Sequence, residues 1–159
     1  GGESVAMKAI TIWQPWASLI MAGAKPYEFR GWAVPHVIIG SEIAIHSGAR
    51  PMKRGELADL ITRLTSDQAW TTCLNKEIAL PLLERAITSP GILPLSSILG
   101  TARIHRAKRG TDIVHEFGGK LNDSDRNQHS NFAWPLSDIN VFEPFIPAKG
   151  MQGFWEWQR

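Results

Sequence analysis

The apolar residues of this chain change period twice, and that change limits the fold more than any single residue does. Lys8 to Trp13 alternates around Ile10 and Ile12, the two-residue period of a strand. Tyr27 to Trp32 reads as a second strand and Glu42 to His46 as a third, with Ile43 and Ile45 on one face. Between residues 53 and 88 the period becomes helical. Leu57, Leu60, Ile61 and Leu64 form one stripe, and Ile78, Leu82 and Leu83 form another despite Pro81. Pro90 to Pro94 resets the chain. Alternation then returns over Ser97 to His105, and Phe132 to Leu136 and Phe154 to Trp157 read as the last strands. Strands, then helices, then strands favour an α+β fold over repeated βαβ units.

Two local features complete this outline. Pro15 suits the first turn of a helix, where no N–H is needed, and Trp16 to Ala22 continues that helix until Gly23 ends it. Residues 106–131 are polar and mixed in charge, and read as a long loop with one short strand around Ile113 to Phe117.

Tryptophan is over-used, with seven residues against one tyrosine. Trp13, Trp16 and Trp32 lie early and Trp134, Trp155 and Trp157 late, which suggests that the chain ends meet in one aromatic-rich region. Trp155 and Trp157 share a face and are expected in the core, as is Trp13.

The length of 159 residues suits one domain, large enough to fold without disulfide or metal. Residues 1–6 read as a vector-derived leader before a native start at Met7, leaving 7–159 as a single domain. The leader lacks the basic and apolar regions of a signal peptide, and no apolar run is long enough to span a membrane. Cys73 is the only cysteine, so no internal disulfide forms and a reducing cytoplasm is the expected location. Cys73 has no neighbouring histidine in sequence and reads as an inert thiol. The net charge of +2 is too small to argue for nucleic acid by itself. His36, His105, His115 and His129 lack the spacing of a metal site, so neither a metal nor a cofactor is expected.

The strongest chemical constellation is Gly23-Ala24-Lys25-Pro26-Tyr27-Glu28-Phe29-Arg30. On a strand Glu28 and Arg30 share one face, with Tyr27 and Phe29 on the other. Lys25 would sit accessibly at the mouth, and Arg30, further along the strand, would orient Glu28 from inside the fold. The segment is either a polar cleft for a phosphate or base edge, or a surface ion pair of little consequence. Trp13-Gln14-Pro15-Trp16 offers either a base-stacking platform, with Trp16 beside the motif, or core packing. Gln14 would read a base edge or cap the helix. His46-Ser47-Gly48-Ala49-Arg50 is either an anion-holding turn or an ordinary one with a satisfied histidine. The basic run from Arg103 to Arg109 is either a solvated face or a lip for a nucleic-acid backbone. Lys149, in Pro147-Ala148-Lys149-Gly150, either faces the cleft of Lys25 or belongs to a plain hairpin start.

The opening segment "MKAITIWQPWASLIMAGAKPYEFRGW" resembles that of an ASCH domain, with its Gly-x-Lys-x-x-Glu-x-Arg motif. The pieces "IAIHSGAR", "LPLSSILGTARI", "FAWPLSDI" and "PAKGMQGFWEW" are similar to the larger bacterial and phage members, so the resemblance covers nearly all of Met7 to Trp157. It implies a PUA-like mixed β-barrel with an N-terminal helix and an inserted helical pair at residues 53–88. It also implies that RNA or a modified nucleoside binds in a polar cleft. Lys25, Glu28 and Arg30 would line that cleft with Trp16, and Ser47 and Lys149 would stand at its rim. The rival reading is a hydrolase: an amidohydrolase on N4-acetylcytidine, or a ribonuclease, with Lys25 as the water-activating base beside Glu28. The family's amidohydrolases carry threonine where this chain has Glu28, and a carboxylate there opposes the lowered pKa such a base needs. A third reading is a protein-interaction module that binds through its helical insert.

Overall fold

The computed structural model describes residues 6–120 and 131–159. Its seven strands are β1 (Ala6–Ile12), β2 (Tyr27–Arg30), β3 (Glu42–Ser47), β4 (Ser97–Ile104), β5 (Lys108–Arg109), β6 (Phe132–Pro147) and β7 (Phe154–Gln158). The helices are α1 (Trp16–Met21), α2 (Arg54–Leu64), α3 (Lys76–Thr88) and the single turn α4 (Gly110–Ile113). Alternating and helical periods thus fall where the sequence places them, and the architecture is α+β.

The strands join in the order β2-β6-β4-β3-β1-β7, with β5 added on β6. Among the described residues, only β1 and β3 run parallel. The chain ends do meet: β7 pairs with β1 from Ala6↔Gln158 to Ile10↔Phe154. Ala6, assigned to the leader on sequence, is therefore part of the first strand. The hydrogen-bonded order is open, but the sheet curls until its far strands touch. Trp134 of β6 stacks on Phe154 of β7 at 5.6 Å, and an Arg30 N–H on β2 donates to the carbonyl of Thr11 on β1 at 3.4 Å.

The long strand β6 drives the curl. Its first residues pair with β2 and β5, and the remainder runs along β4. Register shifts interrupt the β4–β6 ladder on both sides of the Gly100–Thr101 pairs. At Gly100 (φ +157) a Cβ would lie 2.1 Å from the Asn140 carbonyl oxygen, so only glycine allows the strands to approach this closely. On sequence β6 ends at Leu136, because Pro144 and the alternating polar residues beyond it mask a strand exposed on one side.

The core enclosed by the curled sheet and α1 holds Ile10, Ile12, Ile20, Ile43, Ile45, Leu99, Ile104 and Trp134. A second core joins α2 and α3 through Leu57, Leu60, Leu64, Ala79 and Leu83, and Leu19 of α1 reaches into it. Asn75 caps α3 by accepting from the Glu77 N–H, while its own N–H donates to the Ala24 carbonyl at 2.8 Å. The insert is thereby tied to the residue before Lys25.

The polar stretch after Ile104 has more structure than expected up to residue 120. β5 and α4 occupy it, and Val114–Phe117 is a 3₁₀ turn where a short strand was expected. Residues 121–130 of that expected loop lie outside the described residues. No helix among the described residues is long and apolar enough to cross a membrane.

Candidate functional site

Gly23 (φ +83) ends α1, and the N–H groups of both Ala24 and Lys25 then fold back onto the Leu19 carbonyl. That turn throws Lys25 inward, whereas the sequence placed it accessibly at a mouth. Lys25 is only 6% exposed and Glu28 8%. The Lys25 ammonium lies 4.0 Å from Glu28 Oε1, and 5.2 Å and 4.7 Å from the ring centroids of Trp16 and Phe29.

Glu28 is held from the other side. Its Oε2 accepts from Arg30 at 2.9 Å, and the Arg30 side chain is the more exposed of the pair. The shared face of Glu28 and Arg30 is as expected, but the depth order is reversed: Lys25 is the interior group and Arg30 the outer one. The reason is tertiary. Lys25 and the helical insert line one cavity, and no local pattern in the motif announces that neighbour.

A cavity of about 450 Å³ opens beside these groups, lined by Trp16, Lys25, Glu28, Phe29, Arg63, Thr71, Thr72, Cys73, Gly110 and Asn131. Glu28 and Phe29 point to opposite faces of β2, yet both line it, and among the described residues β2 is an edge strand paired with β6 alone. Arg63, Thr71, Thr72 and Cys73 come from the insert, at the end of α2 and in the turn after it. Sequence reading missed Arg63, Thr71 and Thr72 and set Cys73 aside as an inert thiol. The available signal was a polar connection between two apolar-striped helices, since such connections often carry function.

The electrostatics follow from this burial. Burial pushes the Lys25 pKa below the ordinary lysine value, and the opposing pull of Glu28 does not outweigh it. Burial also pushes the Cys73 thiol up, against the opposing charge of Lys25, so Cys73 faces the cavity as a thiol and not as a thiolate. Tyr27 turns away from the cavity, and its hydroxyl donates to the Glu116 carboxylate at 2.7 Å.

The remaining sequence candidates lie elsewhere. Ser47 is fully buried, and its hydroxyl donates to the Ser97 carbonyl and accepts from the Ser97 N–H, both at 3.2 Å. It serves the β3–β4 pairing. Lys149 is exposed and does not line the cavity. His46 is the satisfied histidine: Nε2 donates to the Ala148 carbonyl at 2.7 Å, and Nδ1 accepts from the Thr11 hydroxyl at 3.0 Å. Gln14 is fully buried and caps α1, accepting from the Ser18 N–H and donating to the Pro94 carbonyl. Trp155 and Trp157 are in the core, but Trp13 is not, being 56% exposed. In the basic run, Arg103 pairs with Asp138, and Lys108 and Arg109 lie over the rings of Tyr27 and Phe132. Among the described residues, no group of three or more His, Cys, Asp or Glu side chains could hold a metal ion.

No profile of a known protein family matches the chain, and neither does any curated protein sequence. Among solved structures it is similar to an ASCH protein from Zymomonas mobilis, at 15% identity and a TM-score of 0.44, over 88% of this chain and 72% of that one. Two single-residue variants of that protein are similar to it at the same identity. One has a TM-score of 0.43 over the same spans, and the other 0.42 over 84% of this chain and 70% of that one.

Proposed function

We propose that the cavity binds the base of an RNA nucleotide or of a modified nucleoside. The observation that carries this reading is the pairing of Lys25 and Glu28, a donor and an acceptor 4.0 Å apart beside the rings of Trp16 and Phe29. Base edges present donors and acceptors at adjacent positions, and their faces stack on aromatic side chains. The cavity volume lies within the range of small-molecule sites. Arg63 is exposed at the lining, where a phosphate outside the cavity would meet it.

The test is calorimetric titration with cytidine, N4-acetylcytidine, the other nucleosides and short single-stranded RNA. At least one should bind, and Lys25→Met should weaken it tenfold or more, about 1.4 kcal/mol. Absence of binding by all of them, or affinity unchanged in Lys25→Met, would overturn the reading.

One observation favours the hydrolase as a second reading. A water-activating lysine must be neutral near neutral pH, and burial lowers the Lys25 pKa despite Glu28. Incubation with N4-acetylcytidine and with mixed RNA decides between binder and enzyme. Cytidine or shortened RNA that Lys25→Met abolishes would establish catalysis. No product from a protein that binds would leave the binding site.

A further inference from the structure

Trp13 stands apart from the cavity and from the core. It follows β1 directly, and three residues later Trp16 begins α1 and lines the cavity. Its indole is exposed yet held. The Arg50 guanidinium lies over one face at 4.6 Å, and Glu56 clamps Arg50 through two hydrogen bonds of 3.2 and 2.6 Å. The pyrrole edge rests on Gly48, where a Cβ would come within 3.0 Å of Trp13 Cδ1. A large aromatic surface fixed from behind by a planar cation loses little freedom when a ligand stacks on it.

The charge around this surface has one sign in excess. Arg50 and Lys53 flank Glu56, and Lys149 is exposed at the same end of the sheet. Adjacent loops join there, the Ser96 N–H donating to the Gly48 carbonyl and the Ala148 N–H to the Ser96 carbonyl. A stacking surface with cations beside it fits a base and its phosphates better than an apolar protein segment. The α-carbons of Trp13 and Trp16 are at most about 11 Å apart, because three residues of chain reach no further.

We propose that the exposed surface of Trp13 is a second stacking site, for the base next to the one held in the cavity, so that the ligand is a short single strand of RNA. The inference rests on the cavity reading and names its ligand class. Gly48 keeps the indole seated, and Arg50 backs it. Trp16 receives the inner base and Trp13 the outer one.

The experiment uses the full chain, a 5′-labelled mixed-sequence RNA tetranucleotide followed by anisotropy, and the free nucleosides followed by calorimetry. Trp13→Ala should weaken tetranucleotide binding about five- to 150-fold, the span of single base–aromatic stacks. Trp13→Phe should restore most of it, and nucleoside binding should be the same in all three proteins. Tetranucleotide affinity unchanged in Trp13→Ala, with nucleoside binding intact, would overturn the second site and spare the cavity. Equal loss of both ligands would also overturn it, by showing that Trp13 supports the cavity. If neither ligand binds the unaltered protein, both readings fail together.

Discussion

The Lys25→Met substitution should separate binding from stability. Lys25 is buried, and burial disfavours its charge more than the nearby Glu28 carboxylate favours it. Methionine keeps the length, and its sulfur packs well against Trp16 and Phe29. Glu28 loses only the longer of its two ion pairs, because Arg30 remains at 2.9 Å. Removing one partner of a buried pair is destabilising when it strands the other charge; here Arg30 still holds Glu28 and the desolvation of Lys25 is relieved, so a gain of about 1 kcal/mol is expected. For a chain of this size that raises Tm by about 2–4 °C. Arg30→Met does the opposite. It removes the close partner of a buried carboxylate, and the usual loss of about 3–5 kcal/mol falls to about 2 because Arg30 is partly solvated. Its Tm should drop by about 4–8 °C.

The pH dependence gives the same argument a second readout. The folded-state pKa of Lys25 is below its unfolded value, so in the interval between them the unfolded chain binds more protons. Lys25 therefore contributes a rise in stability with pH across that interval, against the falls contributed by Cys73 and Tyr27, whose raised pKa values act the other way, and Lys25→Met should lack the Lys25 contribution. Urea unfolding at pH 7.5 and 9.5 measures it. A Lys25→Met protein that loses more than about 1 kcal/mol, or keeps the full pH slope, would refute the claim that this lysine is held at a cost to the fold.

Three further outcomes follow from particular contacts. Burial lowers the His46 pKa, so stability should fall as pH drops below the ordinary histidine range, where the unfolded imidazole takes up a proton that the folded one resists. Urea unfolding at pH 7 and 5 should show a smaller drop for His46→Gln than for the unaltered protein, and equal drops would refute this. Gln14→Ala removes the α1 cap and the tie to Pro94 from a buried site, and should cost about 1–3 kcal/mol by urea unfolding; a cost under 0.5 would deny the cap that role. Cys73 is buried with a raised pKa, so a disulfide reagent at pH 8 should label it far more slowly than it labels the unfolded chain, and equal rates would show the thiol to be open.

What the sequence determined was local and periodic. Alternation around Ile43 and Ile45 made β3, the leucine stripe made α2, and Gly23 ended α1, because these patterns act over a few residues of chain. The shared face of Glu28 and Arg30 was legible for the same reason, since a strand alternates whatever surrounds it. Depth was not legible. Lys25 and Arg30 exchange their expected places, the lysine being buried where it shares a cavity with an insert distant in sequence, and Ser47 leaves the rim because β4 pairs across it. Trp13 and Trp16 are the same residue type three positions apart, yet one is exposed and the other lines a cavity. Burial is a property of what packs against a residue, and for this site the packing comes from segments distant in sequence. The tertiary structure alone therefore decided which charge is desolvated, which aromatic faces are free, and where the cavity lies.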